Sequence, residues 1–121
     1  MIKKLIIILL PILINAKSDI CQTQWIQDNG TRYQPPESVK VLTLTFMNDL
    51  DSVQIDSKNY GTTYYYESFL NIKGKLGISY KASNGDIVDM FQNGNLIVWR
   101  KNTPLLKAYC PTLKLDISKI N

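Results

Sequence analysis

Apolar and polar residues alternate with period two along most of the chain beyond residue 38, the pattern of strands buried on one face. Val39–Phe46 reads Val-Lys-Val-Leu-Thr-Leu-Thr-Phe, with Leu42, Leu44 and Phe46 on one face and Thr43 and Thr45 on the other. Ser52–Asp56 repeats the pattern with Val53 and Ile55. Thr62–Ile72 is longer and aromatic: Tyr64, Tyr66, Ser68 and Leu70 point one way, and Tyr65, Glu67, Phe69 and Asn71 the other. Three consecutive tyrosines place rings on both faces of a sheet. Cross-strand aromatic packing accounts for one set, and an exposed set would be good binding material.

Glycine turns punctuate the next stretch. Lys73-Gly74, Asn84-Gly85 and Asn93-Gly94 separate the apolar runs Lys75–Lys81, Asp86–Gln92 and Asn95–Lys101. Asn-Gly predicts a type I′ turn, in which both central residues need positive φ. Asn102-Thr103-Pro104 then turns the chain into Leu105–Cys110, where Leu106, Ala108 and Cys110 share a face. Strands joined this tightly are antiparallel neighbours, so this half is a meander. Upstream, Ile20–Trp25 reads as a first strand. Gln27–Pro36 reads as a loop, because Asp28-Asn29-Gly30 is turn chemistry and Pro35-Pro36 excludes a central strand. Thr112–Asn121 fits either an alternating strand (Leu113, Leu115, Ile117) or a helical stripe (Leu113, Ile117, Ile120), and is taken as a strand or an ordered tail. The expected fold is all-β: a small antiparallel meander of seven to eight strands closing into a barrel or sandwich.

The first sixteen residues break this pattern. Lys3 and Lys4 precede an apolar run, Leu5–Ile14, and Ala16 offers a small residue for cleavage. That is the layout of an export signal. A run of about ten residues is too short for a bilayer, which needs roughly 20. The expectation is a signal peptide over 1–16, a single domain over 17–121, a periplasmic or secreted location and no stable membrane anchor. The whole chain has 14 Lys plus Arg against 10 Asp plus Glu, a net charge of +4. Loss of Lys3 and Lys4 leaves 12 against 10, or +2, with no basic cluster to release counterions together, so nucleic acid is not the expected partner.

Two cysteines, Cys21 and Cys110, lie near the two ends of the mature domain with 88 residues between them. In an exported chain such a pair predicts one disulfide. The chain has no histidine, which removes the usual general base and the usual imidazole metal ligand. Pairing the cysteines would also remove the thiolate nucleophile. The acids are Glu37, Glu67 and eight Asp, nearly all the Asp in turns. Asp86 and Asp89 fall on opposite faces of a strand, which does not suit a paired-carboxylate site. Asp49 and Asp51 lack the glycine and distal glutamate of a calcium loop. Asn29-Gly30-Thr31 matches a glycosylation sequon and is read as chance. No enzyme, metal or cofactor is expected.

A binding module is the better class. Its candidate surface is Trp99, Arg100 and Lys101 with the turn that follows; Trp and Arg are enriched at interface hot spots. Trp99 could equally be a core residue. A small exported domain with a cysteine near each end, and Val98-Trp99-Arg100-Lys101 before a turn, resembles the periplasmic inhibitors of C-type lysozyme. The resemblance extends upstream to Ser83-Asn84-Gly85. It implies a small antiparallel barrel that inserts a loop Ser and a Lys, here Ser83 and Lys101, into a lysozyme cleft. The chain departs from that family in not reproducing its Ser-Gly-x-x-Tyr loop. The other readings are an accessory envelope protein with a different partner and a small-barrel carrier of an apolar ligand.

Overall fold

In the computed structural model, which describes residues 17–116, the alternating stretches are strands. The signal reading falls on residues 1–16, outside the described part, as does the end of the C-terminal segment. The strands are β1 (Lys17–Asp28), β2 (Thr31–Tyr33), β3 (Val41–Met47), β4 (Ser52–Ser57), β5 (Tyr60–Ile72), β6 (Lys75–Ala82), β7 (Ile87–Phe91), β8 (Asn95–Arg100) and β9 (Thr103–Tyr109). One helical turn, α1 (Glu37–Lys40), links β2 to β3. No helix among the described residues is long and apolar enough to cross a membrane.

Every pairing is antiparallel, and β1 pairs with both β3 and β9. The meander from β3 to β9 therefore closes on β1 as an eight-stranded barrel, with β2 hung on the far part of β1. A barrel of eight strands has an interior just wide enough for side chains, or for one small ligand. The expected loop at Gln27–Pro36 is in fact the β1–β2 hairpin, turned at Asn29-Gly30 (φ 51 and 80) and followed by the approach to α1.

Inward residues meet around the barrel in register. Leu44 lies opposite Ile55, Phe46 opposite Val53, Tyr64 opposite Ala82, Ile78 opposite Met90, and Leu96 opposite Ala108. All are buried, and most have no exposed surface. Cys21 and Cys110 join in a disulfide beside the β1–β9 seam, both fully buried.

Two departures from the sequence reading stand out along the meander. A bulge between Tyr66 and Ser68 shifts the β5–β6 register. Phe69 then lies opposite the buried Ile78, on the face of Tyr64 and Tyr66, while Leu70 moves to the outer face with Tyr65. Strict alternation had grouped Leu70 with Tyr64. The Asn-Gly turns also differ from type I′. At 82–85 and 91–94 the glycine amide closes the turn on the carbonyls of Ala82 and Phe91, and only Gly85 and Gly94 have positive φ. These are three-residue hairpin loops with glycine at the bulge position. The Asn side chains cap them: Asn84 Oδ1 accepts from the Asp86 amide and Asn93 Oδ1 from the Asn95 amide.

The antiparallel order puts four connections at one end: the tip of β1–β2, then β4–β5, β6–β7 and β8–β9. The opposite end is plugged. There the Tyr80 hydroxyl donates to the Leu50 carbonyl (2.8 Å), and residues 111–116 fold back so that Leu113 and Leu115 are buried. Gln92 Nε2 donates to the Leu115 carbonyl and Thr112 Oγ1 to Asp19. The described part of the C-terminal segment is thus an ordered tail and not a strand.

Candidate functional site

The unplugged end gathers the residues singled out from the sequence. Ser83 sits at the exposed tip of the β6–β7 hairpin. The β8–β9 hairpin turns at Lys101-Asn102, both left-handed (φ 50 and 66), so Lys101 is a turn residue and Thr103 and Pro104 already belong to β9. The expected strand ending at Lys101 and turn at Asn102–Pro104 are each displaced by about one residue, because the register shifts between Val98 and Trp99.

The two hairpins are tied together by Asp86 and Arg100. Arg100 Nε donates to Asp86 Oδ1 and Nη2 to Oδ2, both at 2.9 Å. A guanidinium and a carboxylate meeting fork to fork fix each other's orientation. Asn84 Nδ2 also donates to Asp86 Oδ2. The Asp86 side chain is only 4% exposed, whereas that of Arg100 is 56% exposed. The Arg100 hydrogen bonds hold the Asp86 carboxyl below its ordinary range against the opposing effect of burial. Asp86 is not a candidate on sequence: it enters there only with Asp89 as a carboxylate pair, set aside because the two fall on opposite faces of a strand.

Trp99 lies outside the barrel, half-buried, and shares an outer groove with Lys101 as the period-two reading expects. The groove, of about 480 Å³, is walled by Trp99, Leu70 and Ile87 and rimmed by Lys81 and Lys101, with Asp89 on its floor. Burial pushes the Asp89 carboxyl above its ordinary range, against the pull of the neighbouring Ser79 hydroxyl and Trp99 indole. A raised folded-state value means that ionised Asp89 opposes folding at neutral pH. The penalty vanishes below the ordinary carboxylate value of about 3.9, where both states are protonated. Asp89→Asn is therefore expected to raise the melting temperature at pH 7 and to leave it unchanged near pH 3. Equal effects at the two pH values in thermal melts would refute this.

Arg100 points away from that groove, into a pocket of about 390 Å³ at the unplugged end. Leu42, Ile55, Val98 and Leu106 form its floor, Ile26 and Val39 its rim. Tyr60 and Tyr64 also line it, with their hydroxyls 3.1 Å apart. Burial, and then the Tyr60 hydroxyl, push Tyr64 above the ordinary tyrosine range, so it stays protonated. Gln27, which also lines the pocket, accepts at Oε1 from Nε of Arg32, which in turn stacks on Trp25 at 4.0 Å from the ring centre. The sequence offered no pattern for this pocket. Its walls come from seven separate elements.

Of the four residues singled out, Trp99 and Lys101 share the outer groove, Arg100 faces the pocket, and Ser83 stands on the neighbouring turn. Among the described residues no group of three His, Cys, Asp or Glu side chains is placed to hold a metal ion. Comparison of the chain with protein-family models, curated proteins and solved structures gives no match.

Proposed function

We infer that this is an exported, periplasmic or secreted, binding protein whose partner is a lysozyme-like enzyme, held at the unplugged end of the barrel. The observation that carries the reading is the bidentate Asp86–Arg100 pair. It clamps the Ser83 hairpin beside the Lys101 hairpin, so that a hydroxyl and an ammonium project from two braced turns. Preorganised loops lose little entropy on binding, which favours tight inhibition over a transient encounter. Lysozyme-type catalysis uses two carboxylates in one cleft. A lysine delivered there would compensate their charge and exclude substrate, and a serine beside it would supply one more hydrogen bond. The edge formed by half-buried Trp99 and exposed Lys101 would extend the contact, Trp being a frequent interface anchor.

The purified protein is expected to protect cell-wall substrate from lysozyme at near-stoichiometric ratio. Lys101→Ala should weaken protection by roughly ten- to a hundredfold, the worth of a charged hydrogen bond. Lys101→Asn should do the same, since Asn tolerates the left-handed turn and lacks the long cationic arm. No protection at any ratio, or full protection by both variants, would sink this reading.

A further inference from the structure

The pocket at the unplugged end supports a ligand of its own, beyond and independent of the partner-binding reading. Its floor of Leu42, Ile55, Val98 and Leu106 is apolar, and its volume of about 390 Å³ suits a small molecule. The polar groups around it are unequally engaged. Both oxygens of Asp86 already accept hydrogen bonds from Arg100, and Oδ2 accepts a further one from Asn84. Gln27 Oε1 accepts from Arg32, which leaves the Gln27 amide N–H groups as donors. One O–H of the Tyr60–Tyr64 pair donates to the other, which leaves the second O–H as a donor. Arg100 uses Nε and Nη2 on Asp86 and retains the N–H groups of Nη1, on a side chain that is more than half exposed. What the pocket still offers is therefore donors, beside a permanent cation.

We propose that this pocket binds a medium-chain carboxylate amphiphile. Its hydrocarbon tail lies against Leu42, Ile55, Val98 and Leu106, and its carboxylate sits on Arg100 Nη1 and the Gln27 amide. A cationic amphiphile would bring its charge beside that of Arg100, and a neutral one would forgo the charge-assisted bonds.

The test is titration of the purified protein with decanoate below its micellar range, followed by calorimetry and backbone amide shifts. Decanol and decyltrimethylammonium serve as the comparison ligands. Saturable one-to-one decanoate binding is expected, with shifts confined to strand ends around Ile55, Tyr64, Val98 and Leu106. Decanol should bind roughly ten- to a hundredfold more weakly, and decyltrimethylammonium not at all. Val39→Trp, which fills the rim without touching the barrel floor, should abolish decanoate binding. The double variant Asp86→Asn/Arg100→Gln removes the cation together with its carboxylate partner and so leaves no buried charge unpaired; it should bring decanoate down to the decanol level and leave decanol unchanged. Absence of saturable decanoate binding would overturn the proposal. So would equal binding of the ammonium compound, or shifts lying in the outer groove or at the plugged end.

Discussion

Replacing both cysteines, Cys21→Ala with Cys110→Ala, is expected to cost about 4–5 kcal/mol of folding free energy, the loop-entropy value for so long a closure. The sequence separation is 89 residues, so nearly the whole described chain lies inside the loop. A domain of this size has a total stability on the order of 5–15 kcal/mol. The double variant should thus be barely folded at 37 °C. Alanine is the informative replacement, because both sites have zero exposure and a serine hydroxyl there would add its own burial cost. Urea unfolding of the two proteins measures the difference. A loss below about 1 kcal/mol would show that the β1–β9 pairing holds the seam without the crosslink.

Gly94→Ala is expected to be the next most damaging change, by more than about 2 kcal/mol. Two effects combine there. Gly94 has φ +94, a conformation that side chains resist, and a Cβ would lie 2.6 Å from the Cys110 carbonyl oxygen. That carbonyl cannot retreat easily, because the Cys110 amide donates to Gly94 O at 2.8 Å and the Cys110 side chain is tied to Cys21. Gly85 separates the two effects: its φ is +95, yet nothing lies within 4 Å of an added Cβ. Gly85→Ala should cost only the conformational part, about 1 kcal/mol. Equal losses for the two variants in urea unfolding would show that the crowding at Cys110 carries no weight.

These two glycines also mark what the chain makes legible. Hairpin order and strand positions follow from local signals: alternation at Leu42–Phe46 and Val53–Ile55, glycine turns at 74, 85 and 94. The order of the eight barrel strands and the pairing of Cys21 with Cys110 agree with that reading. Turn types, the face of Leu70 and the position of Lys101 do not. The turns depend on bulges at Gly85 and Gly94, Leu70 on the bulge at Glu67 and Lys101 on the one at Leu105, and a bulge is set by packing against the neighbouring strand. Asp86 was hidden for the same reason: its burial depends on Arg100, fourteen residues away on another hairpin. The pocket was more hidden still. Leu42, Ile55, Val98 and Leu106 have the same alternation as core residues that are fully covered. They line a space only because strands and loops far apart in the chain meet around it at the unplugged end.

The seam has a consequence for the order of assembly. β1 finds one partner early in β3, but its other edge waits for β9, with Gln22 paired to Tyr109. The strands between can add one after another as short-range hairpins, while this last pairing joins the two extremes of the chain. Whether the polypeptide emerges from a ribosome or through a membrane pore, its cylinder cannot shut until residue 109 is free. Until then two unsatisfied strand edges, β1 and whichever strand came last, stay open to mispairing. Long-range closure is slow in proportion to the chain it must gather. A protein built this way depends on reaching full length before it meets another copy of itself.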